Sequence, residues 1–242
     1  MRLPRLPLAF QYLALICLLL PGGSTRGEVV INEICAEQSD RLIRWSATGV
    51  PKLGMGRAWQ DLTFRDANWS TGTLPAGWGY ANITTNLQSR MQSKTPSVYL
   101  RKTFDVTAAQ IAENLPITLD IEIDDGFVAY LNGVEIARAN AGPPKHFMYA
   151  SQPAYNPTIN TGLQALNAGS SGTLLVEGTN ILAIQAHNRD LTSSFKINAG
   201  LRTSTTTFVA TGAAGGSWKY FVGIAEPRRG WTAAFHVPAP PS

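Results

Sequence analysis

An all-β fold, an antiparallel β-sandwich, is what this sequence predicts, and three observations predict it. Ile117, Leu119, Ile121 and Ile123 alternate with Thr118, Asp120, Glu122 and Asp124, the period-two pattern of a strand with one buried face. Asn132-Gly133 joins two further short apolar runs, and that dipeptide is a strong hairpin signal because a type I′ turn needs positive φ at both central residues. No stretch carries a long 3.6-residue periodicity, whereas 22 Gly and 15 Pro cut the 242 residues into short segments.

In chain order, Arg2 and Arg5 precede an apolar run, Leu8–Leu20, which ends at Pro21-Gly22-Gly23-Ser24. This is the layout of a secretory leader over residues 1–27, too short for a typical spanning helix, with an uncleaved anchor as the alternative. Cys17 would leave with the leader, so Cys35 would be single and pack as a small hydrophobe. Without Arg2, Arg5 and Arg26 the chain holds 17 basic against 16 acidic residues, which leaves no electrostatic footprint for nucleic acid or an anionic membrane.

Residues 28–40 open with a short apolar strand and act as a linker; Leu42–Ala47 reads as another strand, and Val50–Gly56 as a Pro/Gly connector. Gly54-x-Gly56 lacks the later glycine of a nucleotide loop. Trp59, Phe64, Trp69, Trp78 and Tyr80 follow among glycines, a spacing that suits aromatics closing the end of a sandwich. Asn68-Trp69-Ser70 and Asn82-Ile83-Thr84 match a glycosylation acceptor pattern, relevant only in a eukaryotic host.

Val98–Val106 predicts a strand and Ala108–Glu113 one helical turn. Ile117–Asp124, Phe127–Leu131 and Val134–Arg138 then read as a three-stranded meander, with Leu131 facing Val134, Ala129 facing Ile136, and one side committed to the core. Ala139 to about Gly172 reads as a long irregular stretch with four prolines, of the kind that is functional or a covering flap. In Asn180–Asn188, Leu182, Ile184 and Ala186 point inward while Gln185 and His187 face solvent; Ser194–Leu201 completes the unit. The expected sandwich covers 41–202, a linker 203–217, and 218–242 the truncated start of a second module, because Trp218, then Trp231 and Phe235, echo the Trp-then-Phe step of Trp59 and Phe64.

Four pieces, 59–80, 98–106, 121–140 and 177–188, together resemble a bacterial secreted jelly-roll module of the galactose-binding-like type. Such modules occur in large extracellular proteins beside lamin-tail-like, spore-coat kinase-like or hydrolase domains. VVINEI (29–34) is similar to the first strand of a lamin-tail domain, and WKYFVGIAEP (218–227) to the entry of a following module. The resemblance implies a jelly roll and, by analogy of fold, carbohydrate or cell-surface glycan binding. Asp124-Asp125-Gly126 is also similar to calcium-holding aspartate pairs of a lectin-like sandwich family, which implies Asp124, Asp125 and Asn132 as Ca²⁺ ligands; a plain self-capped turn is the alternative.

Catalytic patterns are not found: no G-x-S-x-G, H-E-x-x-H, C-x-x-C or G-K-[ST]. His146, His187 and His236 share no metal-ligand spacing, and His187 with Asp190 lacks a nucleophile, so His187 reads as a solvated strand-end histidine. The expectation is a secreted, non-enzymatic module that binds extracellular polysaccharide through Trp78, Tyr80, His146, Phe147, Tyr149 and Tyr155, whose rings stack on sugar C–H faces. A structural spacer or adhesion module between neighbouring domains, or the accessory end of a truncated hydrolase, are the alternatives.

Overall fold

The structure, a computed structural model, describes residues 59–155 and 160–227. The chain divides into two units, Met1–Met55 and Gly56–Ser242, and every described residue belongs to the second. The leader expected over 1–27, the strands expected in 28–47 and the chain beyond 227 lie outside the described residues.

Two sheets face one another. The first runs β1 (Ser70–Thr73), β12 (Ser217–Val222), β4 (Ser97–Val106), β9 (Gly178–His187), β6 (Gly126–Leu131), β7 (Val134–Ala139). The second runs β3 (Thr85–Asn86), β2 (Ala76–Trp78), β10 (Phe195–Arg202), β5 (Pro116–Asp124), β8 (Asn160–Ser170), with β11 (Thr207–Val209) also on β10. All pairs are antiparallel except β2 with β3. The helices are single turns: α1 (Gln88–Met91), α2 (Ala108–Ala112, capped by Thr107 and Gln110) and α3 (Ser171–Leu174). The all-β sandwich read from the sequence is therefore the fold.

Its core is the alternation made solid. Ile117, Leu119, Ile121 and Ile123 of β5 are at most 2% exposed, and they meet Val98, Leu100, Leu182, Ile184, Ala186, Phe127 and Leu131 from the opposite sheet. A second cluster covers the outer face of the first sheet, where Trp59, Phe64 and Trp69 pack on Tyr99, Ile181 and Ala183. The middle of that sheet is thus buried on both sides, which makes β9 buried from Asn180 to His187.

Five expectations are corrected. The meander is a crossover: β5 belongs to one sheet and β6 to the other, and the cis Asp124–Asp125 peptide carries the chain between them. The hairpin does turn at Asn132 (φ 52°) and Gly133 (φ 83°), but a bulge after Ala129 sets Ala129 opposite Ala137 instead of Ile136. Val134 pairs with Leu131 yet is 50% exposed, because β7 is the sheet edge. Part of the long irregular stretch is β8, paired along β5. Finally, the boundaries at 202 and 217 fall inside the sandwich: β12 lies between β1 and β4, with Trp218 1% and Tyr220 9% exposed in the main core, so these residues open no second module.

Candidate functional site

One end of the sandwich gathers most of the candidate residues. There β5 ends at Asp124, β6 begins after Asp125, β9 ends at His187, and the loop after β7, residues 140–155, folds over the outer face. This loop has no ladder of its own, so its backbone groups must find other partners.

They find them in side chains anchored on strands. The Arg138 guanidinium pairs with Glu135 at 2.7 Å and donates to the carbonyls of Ala141, Pro143 and His146 at 2.7, 2.7 and 3.0 Å. Gln185 Nε2 donates to the Met148 carbonyl at 2.9 Å, and Ser97 Oγ to the Ala150 carbonyl at 2.6 Å. Asn140 Nδ2 donates to the Asp125 carbonyl, Ala154 N to Asn188 O, and Tyr155 N to Asn140 O. Met148 and Ala141 pack on Val128 beneath. The loop is a cover with a fixed shape.

His187 serves this cover. Its Nδ1 donates to the Gln152 carbonyl at 2.7 Å, while Nε2 is buried with no partner among the described residues. Burial lowers its pKa to about 4, so the ring is neutral at neutral pH. The solvent-facing reading of Gln185 and His187 is corrected: they are 3% and 0% exposed because the loop lies over them.

On the cover's outside stand the aromatics. Phe147 and Tyr149 are 47% and 42% exposed, their rings edge-on at 4.9 Å. Tyr155, 41% exposed, meets His146 edge-on at 5.6 Å, and its hydroxyl takes a 2.7 Å hydrogen bond from Gln152 Nε2. The structure thus brings His146, Phe147, Tyr149 and Tyr155 onto one loop. Trp78 is corrected: it is 5% exposed, packed on Phe195 at 5.6 Å in the core, and presents no face to a ligand. Tyr80 is half-buried, with the Lys196 ammonium 5.3 Å above its ring and its hydroxyl donating to Asp124 Oδ2 at 2.8 Å.

Asp124 and Asp125 are both buried. Asp124 Oδ2 accepts from Tyr80 and, at 3.1 Å, from Ser194 Oγ; Asp125 Oδ2 accepts from Arg189 N at 2.8 Å. Asp125 Oδ1 has no partner among the described residues, and burial, then Asp124, pushes this carboxyl up to about 6. Asn132 is not with them. It sits beyond the far end of β6, roughly 20 Å away at strand rise, and its amide is engaged by Leu174, Asn180 and Ile181. No group of three or more His, Cys, Asp or Glu side chains is placed to hold a metal ion among the described residues.

The sequence reading missed Asn188 and Ser194, which stand at the carboxylate pair. Asn188 is fully buried and its Oδ1 accepts from Arg189 N and Ser193 Oγ, holding the 188–194 turn against Asp125. The signal was the polar run Asn188-Arg189-Asp190 directly after an apolar strand. Asp190 closes that turn, its carboxyl held down to about 2 by the N–H groups of Ser193 and Thr192.

No family model and no curated protein matches the chain. Among solved structures it is similar to an α-L-rhamnosidase of Streptomyces avermitilis complexed with L-rhamnose, 16% identical with a TM-score of 0.37 over 67% of this chain and 13% of that one. A GH78 rhamnosidase of Bacillus sp. GL1 is 20% identical, with a TM-score of 0.35 over 69% of this chain and 14% of that one. The PA14 sugar-binding domain from an RTX adhesin is 11% identical, with a TM-score of 0.32 over 58% of this chain and 73% of that one. The chain spans only a small fraction of either rhamnosidase, and overlap this loose leaves its chemistry to be read from its own residues.

Proposed function

We propose that the protein is a non-catalytic extracellular module that binds polysaccharide through the loop 140–155, alongside neighbouring domains of a longer protein. The observation that carries this reading is the exposure of Phe147, Tyr149 and Tyr155 on a loop whose backbone is fixed from beneath. Rings held in place lose little freedom when a sugar stacks on them, which favours affinity. Tyr80, Asp124 and Ser194 are then support for the end of β5, and Trp78 is core.

Calcium on Asp124 and Asp125 belongs to the same reading. Asp125 Oδ1 is buried and unpartnered among the described residues, and a hard cation beside it would satisfy that oxygen and hold the carboxyl ionised. Asn132, whose amide is held by Leu174, Asn180 and Ile181 at the far end of β6, is not part of this set.

Electrophoresis through gels containing a panel of polysaccharides tests the binding reading. Retardation that is abolished in Tyr149→Ala and Phe147→Ala supports it, and free migration through every gel assigns a spacer role instead. Scanning calorimetry with calcium or with chelator tests the cation, which is discarded if the melting temperature does not move.

A further inference from the structure

Phe147 and Tyr149 do not make a flat platform. Their ring planes cross at 78° with the centroids 4.9 Å apart, and the two are exposed to nearly the same degree, 47% and 42%. Neither ring is tucked beneath the other, so together they form a corner open to solvent. The other ring pair on the loop repeats the arrangement, with Tyr155 meeting His146 at 88°.

The corner keeps its shape because the backbone under it is held residue by residue. Residues 147–150 alternate outward and inward, and the inward pair, Met148 and Ala150, are 2% and 4% exposed. The Met148 carbonyl accepts from Gln185 Nε2 at 2.9 Å and the Ala150 carbonyl from Ser97 Oγ at 2.6 Å, while Ala150 N donates to Glu226 at 2.6 Å. Tyr149 N donates to Gln152 Oε1 at 3.3 Å, and the Nε2 of the same amide donates to the Tyr155 hydroxyl. Every residue that could let the two rings swing into one plane is therefore tied to a strand or to its neighbour in the loop.

A sugar ring offers an aromatic ring its C–H face, and stacking needs the two faces parallel. On the face of a crystalline polysaccharide all exposed sugars share one plane. Laid on Phe147, such a plane meets Tyr149 edge-first and is held off the loop. A chain free in solution turns about its linkages, so one residue can lie against a ring while the next turns past the other. We infer that the loop 140–155 takes free single glycan chains or chain ends and rejects crystalline polysaccharide faces. The inference rests on the polysaccharide reading and names the physical class of its ligand. The fixed angle is what selects, since rings that cannot swing pay no ordering cost for a bent chain and cannot adapt to a flat one.

Co-sedimentation of the full chain with crystalline cellulose and crystalline chitin tests it, set beside gels containing hydroxyethyl cellulose, glycol chitin, xylan, galactomannan or polygalacturonate. The expected result is retardation by at least one soluble polymer, competition by oligosaccharides of that polymer, and no sedimentation with either crystalline powder. Phe147→Ala and Tyr149→Ala are each expected to weaken the interaction by about tenfold or more. The double variant is expected to lose little beyond either single one, because one side of a corner holds no chain. Tyr149→Phe, which keeps the ring, is expected to bind as the wild type does. Sedimentation with a crystalline powder that Tyr149→Ala abolishes would overturn the inference and leave the polysaccharide reading standing. Additive losses in the double variant would make each ring a platform of its own and overturn it as well, as would a Tyr149→Phe variant as weak as Tyr149→Ala. Neither retardation nor sedimentation with any of these polymers would remove the polysaccharide reading, and this inference with it.

Discussion

The Glu226 carboxylate accepts a hydrogen bond from the Tyr99 hydroxyl at 2.9 Å, 127 residues apart in sequence, and with its other oxygen accepts from Ala150 N at 2.6 Å. Tyr99 in turn accepts from Gln185 Nε2, which also holds Met148. Burial, then Glu226, raises the Tyr99 pKa far above the ordinary phenol range, so the phenol keeps its proton. One carboxylate therefore ties the segment after β12 to the aromatic loop and to the sheet beneath.

Glu226→Ala leaves the Ala150 N–H without its acceptor. The expected loss is roughly 1–3 kcal/mol, the range for leaving a buried donor unsatisfied, read from urea denaturation. Amide exchange at Ala150 and its neighbours should quicken more than exchange in β5. Equal acceleration in β5 would mean that Glu226 supports the whole sandwich and has no special hold on the loop.

Where one face of a strand meets the core and the other meets water, the pattern was readable, as β5 shows: its Ile and Leu positions are all buried and its polar ones are half-buried apart from Asp124. On β9 the same logic failed for a physical reason. Gln185 and His187 lie on the outer face, but residues distant in sequence cover that face, and a strand's own pattern carries no record of a cover supplied elsewhere. β8 went unseen because it is an edge strand of small and polar residues paired on one side only, which needs little apolar pattern. The crossover at Asp124-Asp125 resembled a hairpin because the local turn signal does not encode which sheet the next strand joins.

The loop aromatics were legible as a set, since a polar, proline-rich stretch bearing several rings is unusual. Trp78 misled because a tryptophan among glycines serves a core as readily as a surface, and only packing on Phe195 decides. Substitution separates these roles: Trp78→Ala is expected to cost about 3–5 kcal/mol as a large buried side chain is lost, whereas Tyr149→Ala stays within about 0.5 kcal/mol of wild type. Thermal melts check both, and a destabilised Tyr149→Ala would remove it as a clean probe of binding.

β12 offers a sharper test of the corrected domain boundary. Trp218 is 1% exposed in the main core, so Trp218→Ala is expected to lower stability by about 3–5 kcal/mol. A chain ending at residue 202 would leave β4 without β12 on one side and expose that core, and it is expected to be insoluble or to lack a cooperative melt. A folded, cooperatively melting product of that length would restore the earlier boundary.

His187 and Asp125 should give stability opposite dependences on pH. The folded pKa of His187 is about 4 against an ordinary 6.5, so between these values the unfolded chain binds a proton that the folded chain does not, and stability rises with pH. The Asp125 pKa is about 6 against an ordinary 3.8, so there the folded chain holds the extra proton and stability falls as pH rises. Asp124 and Arg189 face Asp125 and the Gln152 carbonyl faces His187, so each change reports a defined surrounding. Relative to wild type, His187→Gln should lose stability progressively from about pH 4 to 6.5, and Asp125→Asn should gain it from about pH 4 to 6. Urea midpoints at four pH values across that interval test the pair; variant curves that run parallel to wild type would mean that neither group titrates as its burial requires.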